Sequence, residues 1–505
     1  MAVLLLLLLA VGLRAEQQES SSSNLVTQDA NSTLSTIQRL IQILQRCGIE
    51  ETRALKRVFL STPNITCNDG SPAGFYLRRS HGSRRWIVFL EGGWYCYDQR
   101  SCHSRWQRLR HLMTSRHWPE TRSVGGILSM NPEDNQFWWN ANHVLVPYCT
   151  SDSWSGTRVQ PTAETRFSFM GALVVRQVVQ DLLPLGLGNA SLLLLAGSSA
   201  GGTGVMVNLN PVAALLPHVS VRGVSDSGWF LDRAPYSQDG QALAPLDAVK
   251  KGIQLWQGQV PSECRTLYPL EPWRCYFGYR AYPTLTAPLF VFQWLFDEAQ
   301  MTADNVGAPV TKQQWDYIHQ MGDSLRGSFC NVTAVFAPSC ISHSVLTKKD
   351  WQSVKIDEVS LPQALRCWEM SAHSGTGLGQ TPLPLKLARN LVRSGTSPTV
   401  EAPQRRRKTT GNNKGKKKKG TRPRQRRAVE GCTHHLIEHC SWPQCNHSCP
   451  RLTNPFTGQE MDFIELLKSF GLDMMSVANA LGIDMHTLNN MDHEELLNLL
   501  TQRAN

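Results

Sequence analysis

One stretch, LLLLAGSSAGGTGV from Leu192 to Val205, limits what this chain can fold into more than any other. Four leucines in a row ahead of small residues read as a strand buried on both faces. The glycines and the apolar run through Leu209 that follow read as a helix. At the junction, Gly197-Ser198-Ser199-Ala200-Gly201 has the G-x-S-x-G form, in which a serine sits on a sharp strand-to-helix turn with its hydroxyl exposed. A plain glycine-rich loop gives the same five letters, so the motif carries chemistry only between a strand and a helix, which is its setting here. The architecture this demands is α/β, with a mainly parallel, doubly wound sheet.

The surrounding sequence repeats the alternation. RWIVFLEGGW, NHVLVPYC and SVRGVSDSGWF are short β-branched or aromatic runs closed by turn residues, whereas MGALVVRQVVQDLLPLG has apolar positions at helical spacing and stops at glycine. PLFVFQWLFDEAQ reads as a strand ending in acids, Asp297 among them, and NVTAVFAPSCISHS as a strand ending in a loop with His343. A serine nucleophile needs a base within hydrogen-bond reach, itself oriented by an acid, and in α/β-hydrolases the chain order is serine, acid, histidine. Beyond Ser199, Asp226 and Asp297 both stand just past strands, and His343 and His373 both stand in loops. Order and position favour Asp297 and His343 without excluding the other two. The oxyanion needs backbone N–H donors, one of them on the residue after the nucleophile, here Ala200. The glycine-rich LEGGWYC after an earlier strand offers Gly93 and Trp94 as the others.

Composition sets the compartment. MAVLLLLLLAVGLRA reads as a secretory signal over residues 1–15, and no later run of 18 apolar residues offers a membrane span. Fourteen cysteines suit an oxidising environment, where they staple the chain. The cluster Cys432, Cys440, Cys445, Cys449 with nearby histidines lacks C-x-x-C spacing, so disulfides are expected there, with no metal and no cofactor. Glycosylation sequons start at Asn31, Asn64, Asn189, Asn331 and Asn446. The net charge of +11 comes from one segment: residues 403–427 hold 13 of the 51 lysines and arginines and none of the 40 acids, which leaves the remainder close to neutral. Such a block is expected to be a disordered insert that binds sulfated glycans such as heparan sulfate, and a secretory address argues against nucleic acid. The organisation expected is a signal over 1–15, a flexible segment over 16–50, a catalytic domain over 51–402, the basic insert over 403–427, and a cysteine-rich, helical part over 428–505 packed on the catalytic domain.

Several longer stretches, CNDGSPAGFYL, LEGGWYC, WWNANHVLVPYC, AGSSAGGTG, DSGWFLD, FGYRAYPTL, QWLFDEAQ and FTGQEM, resemble the Notum carboxylesterases of the pectinacetylesterase family. The resemblance covers roughly Asn64 to Ser374 and resumes after the basic insert. It implies an α/β-hydrolase-like fold with helical additions and disulfides. It also implies a secreted enzyme that removes the palmitoleoyl ester from a serine of Wnt proteins, antagonising Wnt signalling. Carried over residue by residue, the nucleophile falls on Ser199, the acid on Asp297 and the base on His343. The oxyanion donors fall on Gly93, Trp94 and Ala200, and a lipid site on Trp94, Tyr95, Thr203, Phe230, Tyr276, Phe277 and Ala299. The chain departs from the family pattern where RAPYSQDGQALAPLD lacks two cysteines, at Ala287, and in Cys47 and Cys330, which marks it as a divergent paralogue. Two other functions share these features: an esterase for other acyl or acetyl esters, and a non-catalytic protein that binds lipid and glycan.

Overall fold

The structure is a computed structural model. It describes residues 54–161, 165–237, 243–306, 309, 311–371, 432–453, 460–461, 474–481 and 483–490. The expected signal, the flexible segment, Asn31, Cys47, His373 and the basic insert lie outside the described residues.

The main sheet and a short pair beside it are built, in chain order, from β1 (Leu55–Phe59), β2 (Gly74–Arg78), β3 (Arg85–Leu90), β4 (Thr121–Arg122), β5 (Asn142–Val146), β6 (Leu192–Ser198), β7 (Ser220–Asp226), β8 (Leu289–Phe292), β9 (Phe296–Asp297), β10 (Val335–Ala337), β11 (Ile341–Ser342) and β12 (His435–Ile437). Ten of them form one sheet among the described residues, in the order β12-β10-β8-β7-β6-β3-β5-β2-β1-β4. Pairing is parallel from β12 to β5 and antiparallel from β5 through β2 and β1 to β4.

The leucine run sits near the middle of this sheet with every residue of β6 buried. Alternate side chains go to opposite faces, as a strand's period of two requires. Leu193 and Leu195 join a core with the helices Gly171–Leu182 and Ala200–Leu215. Leu192, Leu194 and Ala196 join a second core with Trp138, Trp351, Trp368 and the helix Leu361–Ser371. Burial on both faces explains why the run is continuous and not alternating.

The segment after the basic insert belongs to the sheet. Strand β12 extends it beside β10, with Phe336 opposite Leu436. Disulfides Cys367–Cys432 and Cys340–Cys449 tie this segment to the body, and Cys440 pairs with Cys445. All four clustered cysteines are therefore used in disulfides, as are Cys67 with Cys149, Cys96 with Cys102, and Cys264 with Cys275.

Candidate functional site

Ser199 stands between the end of β6 and the first residue of the helix Ala200–Leu215, with φ 58° and ψ −123°. This left-handed, strained conformation for a residue with a side chain is what the sharp turn forces. The turn closes only because its neighbours are small: a Cβ on Gly201 would lie 2.0 Å from the Leu90 carbonyl oxygen. The strained backbone is held by a hydrogen bond from Ser199 N–H to the Asp226 carbonyl, 2.8 Å. Ala200 opens the helix, so its N–H has no intrahelical acceptor and stands where helices receive a negative oxygen. Across from it runs the loop after β3, where Gly93 has φ 144°, a conformation that only glycine adopts readily, and Trp94 has φ 58°.

The acid and base come from outside the main sheet. The sequence reading takes Asp297 as the end of a core strand, but that strand stops at Phe292. Asp297 ends a separate two-residue strand, β9, which pairs in parallel with β11 so that Ser342 lies opposite Asp297. The register sets His343, the next residue, against the acid: Nδ1 lies 2.9 Å from Asp297 Oδ2 and 3.1 Å from Oδ1. Asp297 is fully buried and also caps the helix Glu298–Ala303, accepting from the N–H groups of Ala299 and Gln300 at 3.0 Å and from Gln293 Nε2 at 3.1 Å. With Nδ1–H directed to the carboxylate, His343 keeps Nε2 as an acceptor. Burial pulls the imidazole pKa down, but Asp297 with its hydrogen bond, then Asp226 and Glu298, outweigh it, and the net shift is upward from 6.5.

Ser199, His343, Gly93 and Trp94 open onto one cavity of about 1220 Å³. Among the described residues the Ser199 hydroxyl has no hydrogen-bond partner, an arrangement that apo hydrolases tighten when substrate binds. Of the expected lipid-site residues, Trp94 and Ala299 line this cavity. Tyr95, Thr203, Phe230, Tyr276 and Phe277 are buried, the aromatic ones in a cluster that Trp94 covers. Trp94 stacks on Tyr95 at 4.5 Å and meets Phe230 edge-on at 5.6 Å, and Phe230 lies 6.5 Å from the His343 ring. Tyr276 donates to Ser155 Oγ at 2.6 Å, and Thr203 to the Gly228 carbonyl at 3.1 Å. The cavity also runs the other way, toward Glu91, Leu112, His117, Trp118 and Arg122. No sequence signal marked Leu112, His117, Trp118 or Arg122, because their distance from Ser199 depends on how the strands pair across the sheet.

Among the described residues no hydrogen bond joins the competing acid Asp226 to His343, whose Nδ1 faces Asp297. The Asp226 carboxylate accepts from Ser198, Ser227, Val345 and Leu346. Of the sequons, Asn64, Asn189 and Asn331 are exposed, whereas the Asn446 amide donates to the Lys355 carbonyl at 2.7 Å and to Glu438 at 2.6 Å.

A serine on a strained elbow and a buried Asp–His pair beside one cavity are the groups with which a serine hydrolase can be built. The family profile described as pectinacetylesterase matches residues 50–450. The chain belongs to the pectinacetylesterase family. Within it, the chain falls among the Notum carboxylesterases. It is 47% identical to palmitoleoyl-protein carboxylesterase NOTUM of Drosophila melanogaster, over 90% of this chain and 88% of that protein. To the Mus musculus protein of the same name it is 42% identical, over 90% of this chain and 84% of that one. The crystal structure of the Wnt deacylase Notum from Drosophila superposes with a TM-score of 0.65 at 55% identity, covering 79% of this chain and all of that one. This Notum-group chain is a carboxylic ester hydrolase, and its sheet and disulfides are those of an α/β-hydrolase-like fold.

Proposed function

We propose that the chain hydrolyses the palmitoleoyl ester on a serine of Wnt proteins, with Ser199 as nucleophile, His343 as base and Asp297 as the acid that orients it. The observation that carries this reading is the Asp297–His343 hydrogen bond at 2.9 Å beside an elbow serine that opens on the same cavity. Ser199 Oγ attacks the ester carbonyl while His343 Nε2 takes its proton. The oxyanion is received by N–H groups of Ala200, Gly93 and Trp94. On collapse the ester C–O bond breaks, His343 returns the proton to the departing Wnt serine, and the acyl chain stays on Ser199. A water deprotonated by His343 then releases palmitoleate and restores the serine.

The acyl chain is taken up along Trp94 and Ala299 toward Tyr95, Thr203, Phe230, Tyr276 and Phe277, because each methylene buried there contributes about 0.8 kcal/mol. Two further parts belong to the same reading. The chain works outside the cell, supported by six disulfides among the described residues and by an apolar leader. Residues 403–427 hold it on heparan sulfate through clustered charge, with Asn64, Asn189 and Asn331 as glycan sites on its surface. No helix among the described residues is long and apolar enough to cross a membrane. The test is mass spectrometry of a palmitoleoylated Wnt-derived peptide. The wild type removes the acyl mass and Ser199→Ala leaves it in place; retained turnover in Ser199→Ala would overturn the assignment.

A further inference from the structure

We infer that Asp226 is a positioning residue that sets the nucleophile elbow and the His343 loop in register, an inference that rests on the triad reading above. The observation is a convergence on one residue at the end of β7. Its carbonyl oxygen accepts from the N–H of Ser199 at 2.8 Å. Its carboxylate Oδ2 accepts from Ser198 Oγ, the neighbour of the nucleophile, and from the consecutive N–H groups of Val345 and Leu346 at 2.8 and 3.0 Å. Oδ1 accepts from Ser227 Oγ at 2.8 Å, and that hydroxyl in turn accepts from Ser344 N–H at 3.0 Å. Three successive backbone donors just after the base are thus gathered by one carboxylate and its hydroxyl neighbour, directly or at one remove.

The arrangement bears on catalysis because the two halves of the triad come from separate parts of the chain. Ser199 is fixed by the main sheet, whereas His343 follows the short strand β11, which pairs only with β9. Asp297 orients the imidazole ring, but it does not touch the elbow. Asp226 is bonded both to the elbow and to the loop after His343, and it is fully buried, where a carboxylate holding several donors is a rigid anchor. The residue after the base, Ser344, has φ 61°, a left-handed conformation that a serine keeps only when its surroundings impose it, and its N–H is one of the three donors. The same charge faces His343 together with Asp297 and Glu298, while Lys348, on the His343 loop, donates to Ser342 Oγ.

The test compares Asp226→Asn and Ser227→Ala with Ser199→Ala and Asp297→Asn in the secreted full chain, using a chromogenic medium-chain ester across pH. Asp226→Asn is expected to lower kcat by about 10- to 100-fold, the size of effect that follows a shift of order 1 Å in the reacting groups. KM should stay near the wild-type value, since the residue does not line the cavity. Loss of its charge should also move the acid limb of kcat/KM to lower pH, a change that a purely structural role does not cause. Ser227→Ala keeps every charge and frees Ser344, so it should lower kcat with no shift of the limb. If Asp226→Asn does not fold, Ser227→Ala decides alone through the kcat-against-KM split. Wild-type kcat in a folded Asp226→Asn or in Ser227→Ala overturns the inference while leaving the triad intact. Activity in Ser199→Ala would instead remove the triad reading itself. Equal losses in Asp226→Asn and Asp297→Asn would also overturn it, by making Asp226 a working acid of the triad.

Discussion

At the residue scale, with His343 as the proposed base, the charge around it sets the pH at which the enzyme is expected to work. The imidazole acts as a base only when neutral, and its pKa in the folded protein lies above 6.5. The acid limb of kcat/KM is therefore expected above pH 6.5, with activity falling as pH drops through it. Glu298, whose own pKa is raised chiefly by burial and then by Asp297, supplies part of the negative field. Glu298→Gln should move the limb toward lower pH, as a pH series of initial rates will reveal; an unmoved limb would mean that Glu298 does not face the imidazole. Ala299 offers a separate test at the cavity wall. Ala299→Phe places a ring where an acyl chain is expected to pass, so it should cut turnover of long-chain esters about tenfold or more while acetate esters still react. Each methylene denied burial costs about 0.8 kcal/mol, and two of them already exceed a factor of 10.

At the element scale, the loop over residues 150–156 buttresses the segment proposed to receive the oxyanion. It contains three residues with side chains at positive φ, Ser151 at 54°, Ser153 at 51° and Trp154 at 61°. Asp152 holds them there: its carboxylate accepts from Thr150 Oγ1, the N–H groups of Trp154 and Gly156, and Gly171 N–H at the start of a helix. Burial pushes the Asp152 pKa up to about 6 against these bonds. Trp154 is the working face of the loop. Its indole N–H donates to the Glu91 carbonyl at 3.0 Å, its carbonyl accepts from Asn208 at 2.9 Å, and its ring packs so closely that a Cβ on Gly204 would meet it at 2.5 Å. The residue thus links the segment Glu91–Trp94 to the nucleophile's helix. Trp154→Phe keeps most of the ring and removes the donor, leaving the Glu91 carbonyl unpaired at a cost of about 1–3 kcal/mol. Lower thermal stability together with reduced kcat is the expected pair of results. Stability loss with unchanged kcat would show that the oxyanion segment holds its shape without this bond.

At the scale of the whole molecule, the chain leaves its sheet at β10 and returns to it at β12, and disulfides bracket the excursion. Cys367–Cys432 closes a separation of 65 residues and Cys340–Cys449 one of 109. A single cut by trypsin within 403–427 should leave both pieces joined on a non-reducing gel and separate them on a reducing one. Separation without reductant would contradict the pairing. Replacing Cys340 and Cys449 together by serine should lower stability by about 2–4 kcal/mol, read from denaturant midpoints, because the unfolded chain regains the freedom that the cross-link removes.

What the sequence determined by itself was local. Four leucines, a small-residue turn and an apolar run specify strand, elbow and helix around Ser199, because burial on both faces and close backbone approach each demand particular residues at adjacent positions. The longer motifs were enough to identify the family. The partner groups were a different matter. Asp226 and Asp297 each follow an apolar run, and order and position along the chain favour Asp297 without separating a buried anchor from the acid facing a histidine. The choice falls to the pairing of β9 with β11, two residues each, which sets Asp297 opposite Ser342 and so beside His343. Trp154, Asp152 and the far wall of the cavity are equally silent in the sequence, since polar loops carry no periodicity. Strand β12, three residues long, joins the sheet only because β10 presents a free edge across some hundred residues of chain. Side-chain periodicity is written along the chain, whereas the distance between two loops exists only once the strands have paired into the sheet.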